Sequence, residues 1–187
     1  MIIIVGVILR FLTPQNIATT SPTGYSLNQV TPGRTTLDQL IKALGQPQSS
    51  QQVATGTLYN FPSEQRHTAD EVIAQNNRVV FYKKKLPSST TNDYLPSKLQ
   101  STLQETPLRL YGPDSGAGYY LYVFLDHGLA VYASEQDHFV LELWTFIPTN
   151  RDTFLSSWAT NYSTTFRPEP FNPISNPTIP PVPTLAP

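Results

Sequence analysis

The three histidines are the first residues in this chain that could do chemistry: His67 in SEQRHTAD, His127 in the turn DHG, and His138 at the head of a strand candidate. A metal site needs such ligands at close spacing with an acidic partner, as in H-x-x-x-H. None shows that spacing. The nearest arrangement is a hairpin that brings His127 and His138 across from each other, with Asp126 and Asp137 beside them. Asp-His-Gly also suits a turn position with positive φ, and that reading is preferred, so no metal ligand is assigned. Cysteine is absent, which removes disulfides, thiol catalysis and cysteine-ligated zinc. There is no phosphate-binding glycine loop, G-x-S-x-G elbow or nucleophile–base pair. GPDSGAG (112–118) is glycine-rich but precedes a strand, so it reads as a flexible loop. The expectation is a non-enzymatic protein with no catalytic residue and no cofactor.

Charge narrows the partners. Only 13% of the residues are charged, the formal net charge is −1, and the one basic run is Lys83-Lys84-Lys85. Nucleic acid would require a clustered basic surface, so no nucleic-acid partner is expected, and the lysines read as a solvated strand end.

The elements that must position any site begin at TPGRTTLDQLIKALGQP (31–47). Thr35 and Thr36 are good N-caps, with Asp38 or Gln39 completing a capping box. Leu37, Leu40, Ile41 and Leu44 form one apolar stripe. Gly45 can take the left-handed conformation that ends a helix, and Pro47 forbids continuation. A helix of about ten residues is marginal alone in water and must lie on an apolar surface. Strand candidates follow: VATGTLYNF (53–61), DEVIA (70–74) and NRVVFYKKK (77–85), with QNN (75–77) turning the last two into a hairpin. A second helix, PSKLQSTLQE, has Pro96 suited to its first position, then strands 119–125, 129–133 and 138–147. Overlaying EVIAQNNRVVFY on AVYASEQDHFVLE gives a repeat offset of about 60 residues.

The expected fold is therefore α+β: two tandem αβββ units, their strands in antiparallel sheet, with the helices packed on one face. Residues 31–88 form the first unit and 89–165 the second. Residues 1–30 are a hydrophobic N-terminal segment and polar linker. MIIIVGVILRFL is too short for a comfortable spanning helix, and no basic residue precedes the apolar run as in a secretory signal. A buried first strand is the alternative, but the polar stretch behind it favours a membrane anchor or signal remnant. Membrane association is thus expected through residues 2–12. Residues 166–187 carry proline at nearly every third position and are expected to be an extended, disordered tail.

TPGRTTLDQLIKALGQP, with its Gly-x-Thr start, short amphipathic helix and Leu-Gly-x-Pro end, resembles the opening of the BamE (SmpA/OmlA) domain. GTLYNF and NNRVVFY resemble that family's hairpin strands, and the tandem arrangement resembles the β-lactamase inhibitor protein fold. The resemblance covers 31–85, more faintly 95–147. It implies a non-enzymatic, extracytoplasmic protein of the cell envelope that binds an envelope protein partner. Many members are lipoproteins; with no cysteine for a lipobox, this sequence carries no lipid anchor of that kind.

Alternation along the second set of strands gives each an aliphatic and an aromatic side. Tyr120, Tyr122 and Phe124 oppose Tyr119, Leu121, Val123 and Leu125; Tyr132 opposes Leu129 and Val131; Glu142 and Trp144 oppose Leu141 and Leu143. If the aliphatic sides receive the helices, then Tyr120, Tyr122, Phe124, Tyr132, Glu142 and Trp144 form one open aromatic face that binds the partner. Tyr and Trp give large contact area at low entropic cost. A small molecule or envelope glycan stacking on the same face is the alternative. The first helix carries its own test. Leu40→Ala removes the centre of the apolar stripe and should cost about 2–5 kcal/mol, read from denaturant midpoints.

Overall fold

The computed structural model of the protein describes residues 24–87, 92–136 and 139–166. The proposed anchor at 2–12 and the proline-rich segment from 167 lie outside the described residues. Thr36 caps the first helix, α1 (Leu37–Leu44): its hydroxyl accepts from Gln39 N, and Gln39 Oε1 accepts from Thr36 N at 2.9 Å. Gly45 closes it at φ 86° and Leu40 is fully buried.

Four strands follow as a meander: β1 (Ser49–Val53), β2 (Gly56–Pro62), β3 (Ala69–Gln75) and β4 (Arg78–Lys85). Asn76 and Asn77 both have positive φ in the two-residue turn between β3 and β4, the geometry that matches strand twist in a hairpin. At Gly56, φ is 139°, and a Cβ would meet the carbonyl oxygen of Ala74 at 2.4 Å. Only glycine lets β2 start there. A second helix, α2 (Pro96–Leu103), leads into another meander of β5 (Leu108–Tyr111), β6 (Tyr119–Phe124), β7 (Leu129–Ser134) and β8 (Val140–Phe146). A third helix, α3 (Arg151–Ser157), is capped by Asn150, whose side chain accepts from Thr153 N at 2.9 Å.

The eight strands make one antiparallel sheet in the order β1-β2-β3-β4-β8-β7-β6-β5. Its centre is the pairing of β4 with β8, from Phe81 opposite Phe146 to Lys85 opposite Glu142. Two apolar clusters cover its two faces. On one, Leu40 of α1 and Leu99 of α2 pack with Phe61, Val72, Tyr82, Phe124, Val131 and Leu143. On the other, Phe154 of α3 packs with Phe81, Leu121, Val123, Trp144 and Phe146. The first is the α1/α2 face and the second the α3 face.

This corrects the expected fold of two tandem αβββ units with helices on a single face. The protein is dominated by its eight-stranded sheet, with three helices of only seven or eight residues. Two edge strands and α3 account for the difference. β1 (SSQQV) lies at the sheet edge with four exposed residues, so it needs no apolar alternation and shows none. β5 is only four residues long. α3 brings Phe154 onto the face that had been assigned to solvent, its ring 4.7 Å from that of Phe146. Among the described residues no helix is long and apolar enough to cross a membrane.

The lysine run is not simply a solvated strand end. Lys83 pairs with Glu71 at 2.7 Å, Lys84 with Glu64 at 2.8 Å, and Lys85 with Glu142. Beside Lys84 on the α1/α2 face, Asp70 is buried. It accepts from Lys85 N at 2.9 Å and from the Tyr82 hydroxyl at 3.3 Å. Burial raises the Asp70 pKa, against the opposing pull of Lys85 N and Lys84. A raised folded-state value means that the stability this group contributes is complete below the ordinary aspartate range and is lost as pH rises through the folded value. The stability of the protein relative to Asp70→Asn should therefore fall as pH rises from about 4 toward neutrality. Urea unfolding of both proteins across that range checks the sign.

Candidate functional site

The six residues expected to share one face do not. Opposed residues of antiparallel strands project to the same side, so the strand register decides the matter. Tyr122 pairs with Val131, and Val131 with Leu143, all on the α1/α2 face; Tyr132 pairs with Leu121 on one side and Glu142 on the other. Between Tyr132 and Ala133 the register with β8 slips, leaving Leu141 without an opposite residue. Alternation within each strand holds locally. The phase between strands is set by turns and this bulge, and it puts Tyr122 and Phe124 opposite in face to Tyr132 and Trp144.

Phe124 is fully buried in the α1/α2 core. Tyr120 and Tyr122 lie near the β5 edge of that face, their ring centroids 6.4 Å apart. The guanidinium of Arg109 stacks on Tyr120, 3.7 Å from the ring centre, and forks onto Glu135 at 3.2 and 2.9 Å. Tyr111 adjoins them, and Phe166 lies against Tyr111 at 5.8 Å. Phe166, 49% exposed, is the one large hydrophobic side chain strongly exposed among the described residues. The broad open aromatic face expected from the strands is thus absent from them.

Tyr132, Glu142 and Trp144 do converge, in an open cleft of about 270 Å³ on the α3 face. β4 supplies Lys83, β7 Tyr132, and β8 Glu142 and Trp144. The short 3-10 helix Pro113–Ala117 supplies Asp114, and the segment after α3 supplies Trp158, Thr160, Asn161 and Tyr162. That segment is held at the sheet edge by two backbone hydrogen bonds between Ser163 and Tyr111, at 2.8 and 2.9 Å. Gly112 makes room for it, since a Cβ there would meet the Tyr162 ring at 2.5 Å. The GPDSGAG stretch, expected to be a loose loop, is instead wound so that the Ser115 hydroxyl accepts from Gly112 N at 2.7 Å.

Within the cleft, the Tyr132 hydroxyl donates to Asp114 Oδ2 at 2.7 Å, and Trp144 Nε1 donates to Glu142 Oε2 at 2.7 Å. Lys83 Nζ lies 5.6 Å from the centre of the Trp144 ring. Phe81 backs the cleft, stacked on Trp158 at 5.0 Å and edge-on to Trp144 at 5.7 Å. The pKa of Tyr132 is raised far above the phenol range by burial and then by the hydrogen bond to Asp114. That of Tyr162 is raised by burial and then by the charges of Glu142 and Asp114. Both phenols stay protonated, so their hydroxyls remain donors.

Asp114, Trp158 and Tyr162 were not singled out from the sequence as site residues. Trp158 follows Phe154 by four positions, and Tyr162 follows Trp158 by four. For Trp158 the helical spacing from Phe154 was the available signal; Tyr162 lies beyond α3, which ends at Ser157, and had none. Asp114 carried none. Of the candidate metal hairpin, Asp137 and His138 lie outside the described residues. His127 Nδ1 bonds Glu105 Oε2 at 2.7 Å, and no group of three metal-ligating side chains occurs among the described residues.

Compared with models of known families, with curated proteins and with solved structures, the chain matches none.

The cleft walls also hold the sheet together. Trp144 is 5% exposed, and Trp144→Ala should cost about 3–5 kcal/mol. Tyr132→Phe, which keeps the ring and removes one hydrogen bond, should cost about 1 kcal/mol. Thermal and denaturant melts of the two variants check the ordering.

Proposed function

We propose that this protein is a non-catalytic binding module whose partner protein engages the α3-face cleft. One observation carries the reading. Five separate parts of the chain place four aromatic rings, two carboxylates and a lysine around one open concavity, with Thr160 and Asn161 exposed on its rim. Aromatic rings backed by a packed core, with a polar rim, are the composition of binding hot spots. The resemblance of residues 31–85 to the BamE domain supports the same class of function. The apolar run at 2–12 supports a place at a membrane, and the same resemblance supports one outside the cytoplasm, in the cell envelope. A second reading, an envelope glycan held in the cleft, is favoured by its mostly polar lining, since sugars pair hydroxyls with carboxylates and stack on rings.

A photo-crosslinking residue placed at Asn161 tests the site in cells of the source organism. It should give one discrete, protease-sensitive adduct, and the same residue at Gln100 on α2 should not. A protease-resistant, glycosidase-sensitive adduct favours the glycan. No adduct from Asn161, or equal adducts from both positions, removes the cleft as a binding site.

A further inference from the structure

Resting on the binding reading above, we infer that the cleft recognises a guanidinium, the side chain of an arginine on the partner chain. The charges in and around the cleft are unequally spent. Glu142 is bonded by both Lys85 and Trp144 Nε1, and Lys83 is paired with Glu71. Asp114 is different. It accepts the neutral Tyr132 hydroxyl, and among the described residues no basic side chain lies within ion-pair distance of it. Its residue is exposed to solvent, so an incoming cation can reach it.

The rings around Asp114 favour a flat cation. Tyr132, Tyr162 and Trp158 line the cleft with it. Their π faces attract positive charge, and a planar guanidinium stacks on such faces while its fork meets a carboxylate. The two tyrosines hold their protons because burial and the two carboxylates raise their pKa values, so they meet a cation as neutral rings, and the one lysine of the lining, Lys83, is paired with Glu71. The protein already makes this arrangement once, internally: Arg109 stacks on Tyr120 at 3.7 Å and forks onto Glu135. In the cleft the ring and the carboxylate are present, and the arginine is the piece to be supplied.

Both tryptophans of the chain, Trp144 and Trp158, line the cleft, so tryptophan emission reports on this place alone. The full chain is titrated with Nα-acetyl-arginine amide, with the citrulline analogue (equal in shape, uncharged), and with Nα-acetyl-lysine amide. A saturable emission change is expected with the arginine compound and none of comparable affinity with the other two. Loss of a charge-assisted hydrogen bond in Asp114→Asn should weaken arginine binding by about tenfold or more. Asp152→Asn, the same charge change on the exposed side of α3, should leave it unaltered. Equal response to citrulline overturns the charge requirement, and equal response to lysine overturns the planar one. Unweakened binding to a folded Asp114→Asn protein overturns the role of that carboxylate. The three-ligand comparison on the unmodified protein decides the matter even if the variant does not fold. If arginine fails while the Asn161 crosslink persists, the binding cleft stands and only its ligand class falls.

Discussion

The β4–β8 pairing carries the rest of the structure. Each four-stranded meander ends on its innermost strand, and the backbone pairs from Phe81–Phe146 to Lys85–Glu142 join the two ends into one sheet. Strands at the middle of such a sheet are covered on both sides and can carry apolar residues at every position. β4 offers Phe81 to the α3 face and Tyr82 to the α1/α2 face; β8 likewise offers Trp144 and Phe146 to one and Leu143 to the other. Both cores are built outward from these few residues, so neither meander has a complete core of its own. α1 and α2 then cover one side and α3 the other.

The charged end of the same seam explains why the cleft lies where it does. Lys83 and Lys85 alternate with Lys84, so two of the three lysines project toward the cleft side and one toward the buried Asp70–Tyr82 pair. Glu142, opposite Lys85, is drawn into an ion pair that also orients the Trp144 indole through its N–H. These charges are partly buried, and each is matched by a partner because an unmatched one would carry a large desolvation cost. The pairing is neutral in sum. It leaves Asp114, brought in by the 3-10 helix ahead of β6, as the cleft carboxylate with no basic partner among the described residues.

The segment after α3 supplies the remaining wall. Trp158 stacks on Phe81, Tyr162 fills the space left by Gly112, and Ser163 pairs with Tyr111 along the outer side of β5. One short stretch thus covers a strand edge, which is otherwise open to unwanted pairing, and encloses the cleft. The opposite edge, β1, has only polar and short side chains to shield it.

The sequence by itself determined the local elements whose causes are local. Thr36, Gln39 and Gly45 bound α1 through hydrogen bonds and a φ value that span a few residues. Asn76-Asn77 makes its turn for the same reason, and β3, β4, β6, β7 and β8 show as runs of β-branched and aromatic residues between turn signals. Of the six residues expected to share one face, Tyr132, Glu142 and Trp144 line the candidate cleft, whereas Tyr120, Tyr122 and Phe124 lie on the other face. Similar chemistry does not imply a shared face: a strand's phase relative to its neighbour is set by turn length and by the slip at Tyr132/Ala133, which no periodicity within one strand contains. β1 escaped notice because an exposed edge strand is under no pressure to alternate. α3 covered a face read as open because its burial depends on where Phe146 projects. Only the tertiary structure could decide these, since register and the packing of distant segments are long-range contacts, and a one-residue shift in register exchanges the faces of every side chain on a strand.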